Sequence, residues 1–305
     1  MGARAASTLS PGANPLSTII SIDPSVEAKE KVLEEALRKM SPLAVAFSGG
    51  VDSAYLLAKA VDVSGGDVEA VTARSPSLPR AELAEAVELA KTLGARHRVV
   101  ETRELERAGY RANGPERCYH CKAELFDTAR LTVPEGRTLV DGFNADDFRD
   151  HRPGHRAALE RKVAHPLADA EMTKAEIRAL SRRRGLPTWD KPQMACLASR
   201  VPYGMEVTAE RLARVEAVES ALKRLEFRDV RARLVDGRDD WVRLEVGLAE
   251  IGRVVSPEVR PVLVEAAHEA GFRFVTLDLE GFRSGRLNEG LASGPGGLVQ
   301  LGRQS

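Results

Sequence analysis

Three groups of residues in this 305-residue chain have side chains and spacings suited to chemistry. The sharpest is Ser48-Gly49-Gly50-Val51-Asp52-Ser53. Two adjacent glycines let a backbone come close to an anion. Consecutive N–H groups at the start of a helix then attract phosphate. Ser48 and Ser53 add hydroxyl donors, and Asp52 can position Mg2+ or a hydroxyl group. The lysine of the G-x-x-x-x-G-K-[ST] pattern is missing, so this is not the ordinary P-loop. The competing reading is a plain glycine turn between two elements.

The second group is Asp141-Gly142-Phe143-Asn144-Ala145-Asp146-Asp147. Three carboxylates and an amide suit Mg2+ or pyrophosphate contacts. The alternative is an acidic surface turn. The third group is the three cysteines. Cys118-Tyr119-His120-Cys121 is a C-x-x-C, and Cys196 lies far off in Met194-Ala195-Cys196-Leu197-Ala198-Ser199-Arg200. A C-x-x-C alone fits a redox pair, half a metal site, or a helix start with two buried thiols. A nearby Arg200 or Lys191 would favour the Cys196 thiolate, the reactive form. Three thiols can ligate three irons of a [4Fe–4S] cluster and leave the fourth iron open. Tetrahedral zinc with His120 as fourth ligand competes with that reading, as do three unrelated thiols.

Regular elements must hold these groups in place. Asp23-Pro24 is a capping acceptor followed by proline at the first helical position. Leu43 to Phe47 is a short apolar run, the pattern of a buried parallel strand, and it feeds the Ser48 loop. An apolar helix follows from Ala54 to Val61. Strands are expected at Val68 to Ala73, Arg98 to Glu101 and Thr138 to Asp141. Helices are expected at Arg80 to Leu93 and Cys118 to Ala129. Thr173-Lys174-Ala175-Glu176 is a capping box. This alternation predicts a doubly wound α/β domain with a mainly parallel sheet, whose ligands bind at the carboxyl ends of its strands. Both polar groups fall at such ends.

Beyond Val207 the pattern becomes helix, strand, strand, helix, strand. The helix carries Leu212, Val215, Leu222 and Leu225, and the strands run over Val230 to Val235, Trp241 to Val246 and Phe272 to Leu279. Ser256-Pro257 is expected to open the second helix. The expected organisation is a flexible tail over 1–22, the α/β domain over 23–204, a smaller α+β domain over 205–283, and a second tail over 284–305. Arg231 and Arg233 alternate on a predicted strand, so both fall on one face, where they could clamp a phosphate.

Composition narrows the function. The chain has 45 Lys+Arg against 45 Asp+Glu, which argues against a bulk electrostatic nucleic-acid binder. No window approaches the ~18 uninterrupted apolar residues of a spanning helix. The N-terminus lacks the apolar run of a secretory signal. An odd count of three cysteines does not make a secreted disulfide scaffold. A cytoplasmic protein with reduced thiols is the expectation, with no membrane or nucleic-acid partner.

The strings are recognisable together. SGGVDS resembles the PP-loop of the ATP pyrophosphatases, and Val71-Thr72-Ala73-Arg74-Ser75 resembles the segment that lies along the adenosine there. With RCYHCKAELF, DGFNADDFRDHRPG, PLADAEMTKAEIRAL and GLPTWDKPQMACLASRVPYG, the chain over about residues 26–280 resembles the LarE family. These are ATP-dependent sulfur transferases of the nickel-pincer cofactor pathway that serves lactate racemase. The resemblance implies ATP and Mg2+ as cofactors and a pyridinium biscarboxylic acid mononucleotide as the small anionic substrate. Its carboxylates are adenylated, AMP is displaced by sulfur, and thiocarboxylates result. ATP would be held by Ser48, Gly49, Gly50, Asp52, Ser53, Thr72, Ala73, Ser75, Gly142, Asn144 and Asp147. The substrate would meet Ser199, Arg200, Arg231 and Arg233. One branch sacrifices the sulfur of the cysteine matching Cys196. Another holds a [4Fe–4S] cluster on three cysteines, which Cys118, Cys121 and Cys196 match, and that cluster carries a delivered sulfide. Carboxylates of the C-terminal domain, with Glu219, Glu245 and Glu250 as possible matches, bind a metal in some members. A homo-oligomer, trimer or hexamer, is also implied. A PP-loop tRNA thiolase is the rival reading, and it would need a basic surface.

Overall fold

The computed structural model describes residues 22–149, 153–193 and 195–283. The segments expected as tails lie outside these, except for Ile22. Helix α1 (Pro24–Met40) starts where Asp23 Oδ1 accepts the Ser25 amide at 2.8 Å. It buries Leu33 and Leu37 on one side. Strand β1 (Leu43–Ala46) is buried throughout. It is followed by α2 (Val51–Ser64), β2 (Val68–Arg74), α3 (Arg80–Thr92) and β3 (Arg96–Glu101). Then come a one-turn α4 (Ala108–Arg111), α5 (Arg117–Thr132) and β4 (Thr138–Asp141). The four strands form one sheet in the order β3-β2-β1-β4, and every pairing is parallel. The fold is therefore α/β, as the alternation predicts.

The two faces of β1 show why the sheet is doubly covered. Leu43 and Val45 pack into one core with α1 and α2, while Ala44 and Ala46 pack into another with Phe126 and Leu139. Period two sends alternate side chains to opposite faces, so a strand buried on both reads as a continuous apolar run. Helices α6 (Pro153–Glu160), α7 (Pro166–Asp169) and α8 (Lys174–Arg183) complete this layer. The capping box of α8 forms as the sequence predicts: Thr173 accepts from the Glu176 amide and Glu176 from the Thr173 amide.

The second sheet is built from β5 (Arg231–Val235), β6 (Arg238–Glu245) and β7 (Phe274–Leu277), in that order. β5 and β6 are antiparallel, β6 and β7 parallel. Helix α9 (Ala209–Arg224) precedes it, and α10 (Ile251–Val254) and α11 (Arg260–Glu269) connect β6 to β7. Its core also takes in Tyr110, Leu197, Ala198 and Val201. No helix among the described residues is long and apolar enough to cross a membrane.

Two helix starts differ from expectation. α2 begins at Val51 rather than Ala54, because Gly50 in an extended conformation serves as its cap. Asp52 and Ser53 therefore lie in the first helical turn. α11 begins at Arg260 rather than near Ser256. Pro261 supplies the early helical proline, whose missing N–H has no intrahelical role there.

Candidate functional site

The Ser48 loop leaves the carboxyl end of β1. Gly49 has φ +71°, and a Cβ there would stand 3.0 Å from the Ala86 Cβ, so both its conformation and its packing require glycine. The Ser48 and Ser53 hydroxyl oxygens lie 3.1 Å apart, and Ser53 Oγ donates to the Gly50 carbonyl at 3.2 Å. Asp52 is ion-paired to Lys174 through Oδ2, while its Oδ1 is buried with no hydrogen-bond partner among the described residues. A free buried carboxylate oxygen beside a glycine loop and a helix start suits a cation accompanying a phosphate.

The β4 loop closes on it. A Cβ on Gly142 would stand 2.9 Å from the Ser53 amide nitrogen, so the two backbones touch. Asn144 is buried; its amide donates to Asp147 Oδ2 at 3.1 Å and its Oδ1 accepts from the Asp146 amide at 3.0 Å. Asp146 in turn accepts from the Lys174 amide at 2.8 Å. On the other side, Thr72 donates to the Phe47 carbonyl at 2.7 Å and its Oγ1 lies 2.8 Å from His97 Nε2. Thr72 thus locks β2 to the start of the loop. Ala73 and Ser75 follow at the same strand end, and Ser75 Oγ accepts from the Ser77 amide at 3.2 Å.

Cys118 and Cys121 sit in the first turns of α5, and Cys196 immediately precedes a 3-10 turn at Leu197–Arg200. One backbone contact ties that turn to the segment after β2, and a side-chain contact fixes that segment in turn. The Leu197 amide donates to the Ser77 carbonyl at 2.9 Å, and Ser77 Oγ lies 2.5 Å from the Tyr110 hydroxyl. Desolvation and the charge of Cys196 push the Cys118 thiol up, against the pull of Arg117. Burial pushes Cys121 up as well, aided by Glu104 and Cys196. Among the described residues, no three His, Cys, Asp or Glu side chains already stand close enough to grip a metal ion. The donor set is three soft sulfurs with the buried Arg117 guanidinium acting on two of them, which fits an iron–sulfur centre better than a hard cation. His120, the fourth ligand of the zinc alternative, has its ring packed so closely on Gly109 that a Cβ there would overlap Nε2.

The cations expected beside Cys196 are engaged elsewhere. Lys191 pairs with Glu82 at 2.8 Å and Glu85 at 2.7 Å. Arg200 makes a two-pronged bond to Glu219 at 2.7 and 2.9 Å, and its Nη1 donates to the Cys196 carbonyl at 3.1 Å. Arg200 also donates to Ser199 Oγ at 2.8 Å, while the Ser199 carbonyl accepts from Arg233 at 2.8 Å. Arg233 donates to Glu245 at 2.8 Å, and Glu245 Oε2 is buried with no partner among the described residues. Arg231 stands beside them without an ion pair among the described residues. It lies over the Phe282 ring at 4.7 Å, and burial, then Arg200 and Arg233, lower its pKa to about 10. Glu219, Glu245, Arg200, Arg231 and Arg233 thus form one charged cluster, with Arg231 the arginine least committed to a carboxylate. Glu250 pairs at the surface with Arg253 at 3.6 Å instead.

Comparison with known proteins bears on the whole arrangement. The sequence model of the asparagine synthase family matches residues 29–132. A pyridinium-3,5-bisthiocarboxylic acid mononucleotide synthase of Lactiplantibacillus plantarum is 36% identical over 272 residues, covering 88% of this chain and 96% of its own. The chain belongs to the LarE family. An uncharacterized protein of Synechocystis sp. is 42% identical over 86% of this chain and 98% of its own. Another, from Methanocaldococcus jannaschii, is 26% identical over 81% and 92%. In this LarE-family chain the structure adds four residues that the sequence does not single out for the site. Lys174 is visible there only as part of a helix cap, and Arg117 only as the neighbour of Cys118. Nothing in the sequence marks His97 or Glu104.

Proposed function

We propose that this LarE-family chain uses ATP to convert the carboxylates of a pyridinium-3,5-biscarboxylic acid mononucleotide into thiocarboxylates. The observation that carries the reading is the Leu197–Ser77 backbone bond, which sets Cys196 at the edge that holds the Ser48 loop. Full-length similarity to the Lactiplantibacillus plantarum synthase supports the substrate. The α/β domain over 23–204 is the adenylating part, and the α+β domain over 205–283 meets the substrate and other copies in a trimer or hexamer.

The loop amides, Ser48 and Ser53 hold the phosphates, and Asp52 Oδ1 would hold the Mg2+ that accompanies them. A substrate carboxylate oxygen attacks the α-phosphorus, the bond to the bridging oxygen breaks, and pyrophosphate leaves. Lys174 neutralises the departing charge. The residues from Thr72 to Ser75 lie along the adenosine, with Gly142, Asn144 and Asp147 closing the site. A hydrosulfide-level sulfur then attacks the acyl carbon, and AMP leaves. Arg231, with Arg200, Arg233 and Ser199 behind it, meets the substrate phosphate.

Cys118, Cys121 and Cys196 would hold a [4Fe–4S] cluster, which when bound supplies an open iron for a delivered sulfide. Its presence is read as brown protein and about four irons per chain after anaerobic purification. Cys196 is the one thiol in the segment tied to Ser77, which also favours Cys196 as a direct sulfur donor. In that route Sγ bonds the acyl carbon as AMP leaves, the Cα proton is then lost as the Cβ–Sγ bond breaks, and a thiocarboxylate and dehydroalanine remain. One experiment tests both readings: turnover on the dicarboxylate mononucleotide with ATP and sulfide, with product and protein weighed together. Sulfur in the product with unchanged protein mass supports the cluster route. Protein lighter by the mass of one hydrogen sulfide supports sacrifice. A product without sulfur defeats the assignment.

A further inference from the structure

Lys191 belongs to neither α3 nor α8, yet both helices hold it. Its Nζ pairs with Glu82 at 2.8 Å and Glu85 at 2.7 Å, both on α3. Its carbonyl accepts from Arg178 of α8 at 2.8 Å, and Arg178 also donates to the Trp189 carbonyl at 2.7 Å. The Lys191 side chain is 16% exposed and that of Glu82 12%, so this pair is largely withdrawn from water and little screened. The two glutamates satisfy the lysine charge. What Lys191 offers Cys196 is therefore placement and not charge.

Each of the two helices also touches the Ser48 loop. Glu82 and Ala86 are a turn apart on α3 and share a face, and Ala86 is the residue that a Cβ on Gly49 would meet at 3.0 Å. Helix α8 begins at Lys174, which is paired to Asp52. The start of α3 is itself held. Pro79 gives it no side-chain cap, and Glu216 of α9 accepts the Arg80 amide at 2.6 Å instead. On the other side of Cys196, the Leu197 amide is bonded to the Ser77 carbonyl at 2.9 Å. Cys196 thus lies between two anchors. Lys191 is fixed to α3 and α8, and Leu197 to the segment that leads from β2 into α3.

We propose that Lys191 is a positioning residue that sets Cys196 relative to the nucleotide at the Ser48 loop, by tying the segment before Cys196 to α3 and α8. This rests on the reading of Cys196 as a sulfur-carrying residue beside an adenylated substrate. Activation of the carboxylate needs only the nucleotide end. Displacement of AMP also needs sulfur at the acyl carbon. Loss of the tie therefore slows the second step and leaves the first.

The test has two arms. In the first, single-turnover rates of pyrophosphate release and of thiocarboxylate formation are measured in one reaction with the dicarboxylate mononucleotide, ATP and sulfide. In Lys191→Met, pyrophosphate release stays near wild type while thiocarboxylate forms about a hundredfold more slowly, the scale of a ~1 Å misplacement of reacting groups. Lys191→Arg keeps the charge and recovers most of the rate. Glu85 is exposed, so Glu85→Gln folds, and it slows thiocarboxylate formation by a smaller factor. The double variant of Lys191→Met and Glu85→Gln is no slower than Lys191→Met alone, because both act through one contact. Proportional loss of both rates, or additive losses in the double variant, marks a merely structural lysine and overturns the proposal.

The second arm needs no activity. Iodoacetamide alkylation of the full-length, metal-free chain is followed at each cysteine by peptide mass spectrometry. Cys196 reacts roughly fivefold faster in Lys191→Met than in wild type, the scale of losing one ion pair, while Cys118 and Cys121 keep their rates. No change at Cys196, or an equal rise at all three cysteines, overturns the proposal. A wild-type product without sulfur defeats the proposed function alone, because the alkylation still decides whether Lys191 places Cys196.

Discussion

Lys174 closes an ion pair on Asp52 across 122 positions of sequence, joining the first turn of α8 to the first turn of α2. The pair sits where two helix starts and the β4 loop meet, so a cation stands beside the loop proposed to hold phosphate. Lys174→Met should lower ATP-dependent pyrophosphate release by roughly a hundredfold, the scale of losing one electrostatic stabiliser of developing charge. Lys174→Arg should recover part of it. A coupled pyrophosphate assay checks both.

Gly142→Ala should damage the same step by geometry alone. The new Cβ would stand 2.9 Å from the Ser53 amide nitrogen, and the obstacle is backbone. Overpacking of this kind costs about 1–3 kcal/mol. The expected outcome is a lowered urea midpoint together with weakened ATP binding by calorimetry. Gly114→Ala, whose new Cβ would meet no atom within 4 Å, is the control with little effect on either.

Glu219 and Glu250 should behave differently, although both are acidic residues of the C-terminal part. Glu219→Ala strands the buried Arg200 and frees the Ala232 amide that Glu219 also accepts at 3.0 Å. Breaking a buried pair by removing one partner costs about 3–5 kcal/mol. Glu250→Ala removes only a surface pair and should stay within about 0.5 kcal/mol. Equilibrium unfolding in urea separates the two.

Acid should weaken the α1–α2 contact through Glu30. Burial works to raise its pKa, but the Tyr55 hydroxyl at 2.7 Å, Lys59 and Arg183 outweigh it, and the net direction is down. A carboxylate depressed in the folded state contributes stability above its unfolded value of about 4.3. That contribution is lost as pH falls through the lower folded value. Glu30→Gln should therefore be less stable at pH 7 and show a flatter loss between about pH 5 and pH 3. Urea midpoints measured across that range give the comparison.

Much of this was legible in the sequence because it is local. The Ser48 loop, the capping box at Thr173 and the four parallel strands each announce themselves within about ten residues of chain. The site was less legible because its electrostatics are long-range. Arg200 reads as a cation next to Cys196, yet Glu219 on α9 takes its guanidinium. Arg231 and Arg233 share a strand face as period two requires, but only Arg233 finds Glu245. Arg117 has no carboxylate partner among the described residues and is held instead by Asn113 and the Ala198 carbonyl, an arrangement that no spacing records. Helix α2 starts three residues earlier than its apolar pattern because Gly50, not a polar side chain, caps it.

The second core holds Leu197, Ala198 and Val201 together with α9, β5 and β6, and the turn they form carries Cys196. The chain is therefore not made of interchangeable parts divided at its change of pattern. A fragment ending near Gly204 would keep the nucleotide sheet whole but leave those three side chains with nothing to pack against, and the sulfur-bearing turn would lose its footing. Under the proposed function, grafting a foreign C-terminal half onto the α/β half would change the delivery of sulfur before it changed the handling of ATP.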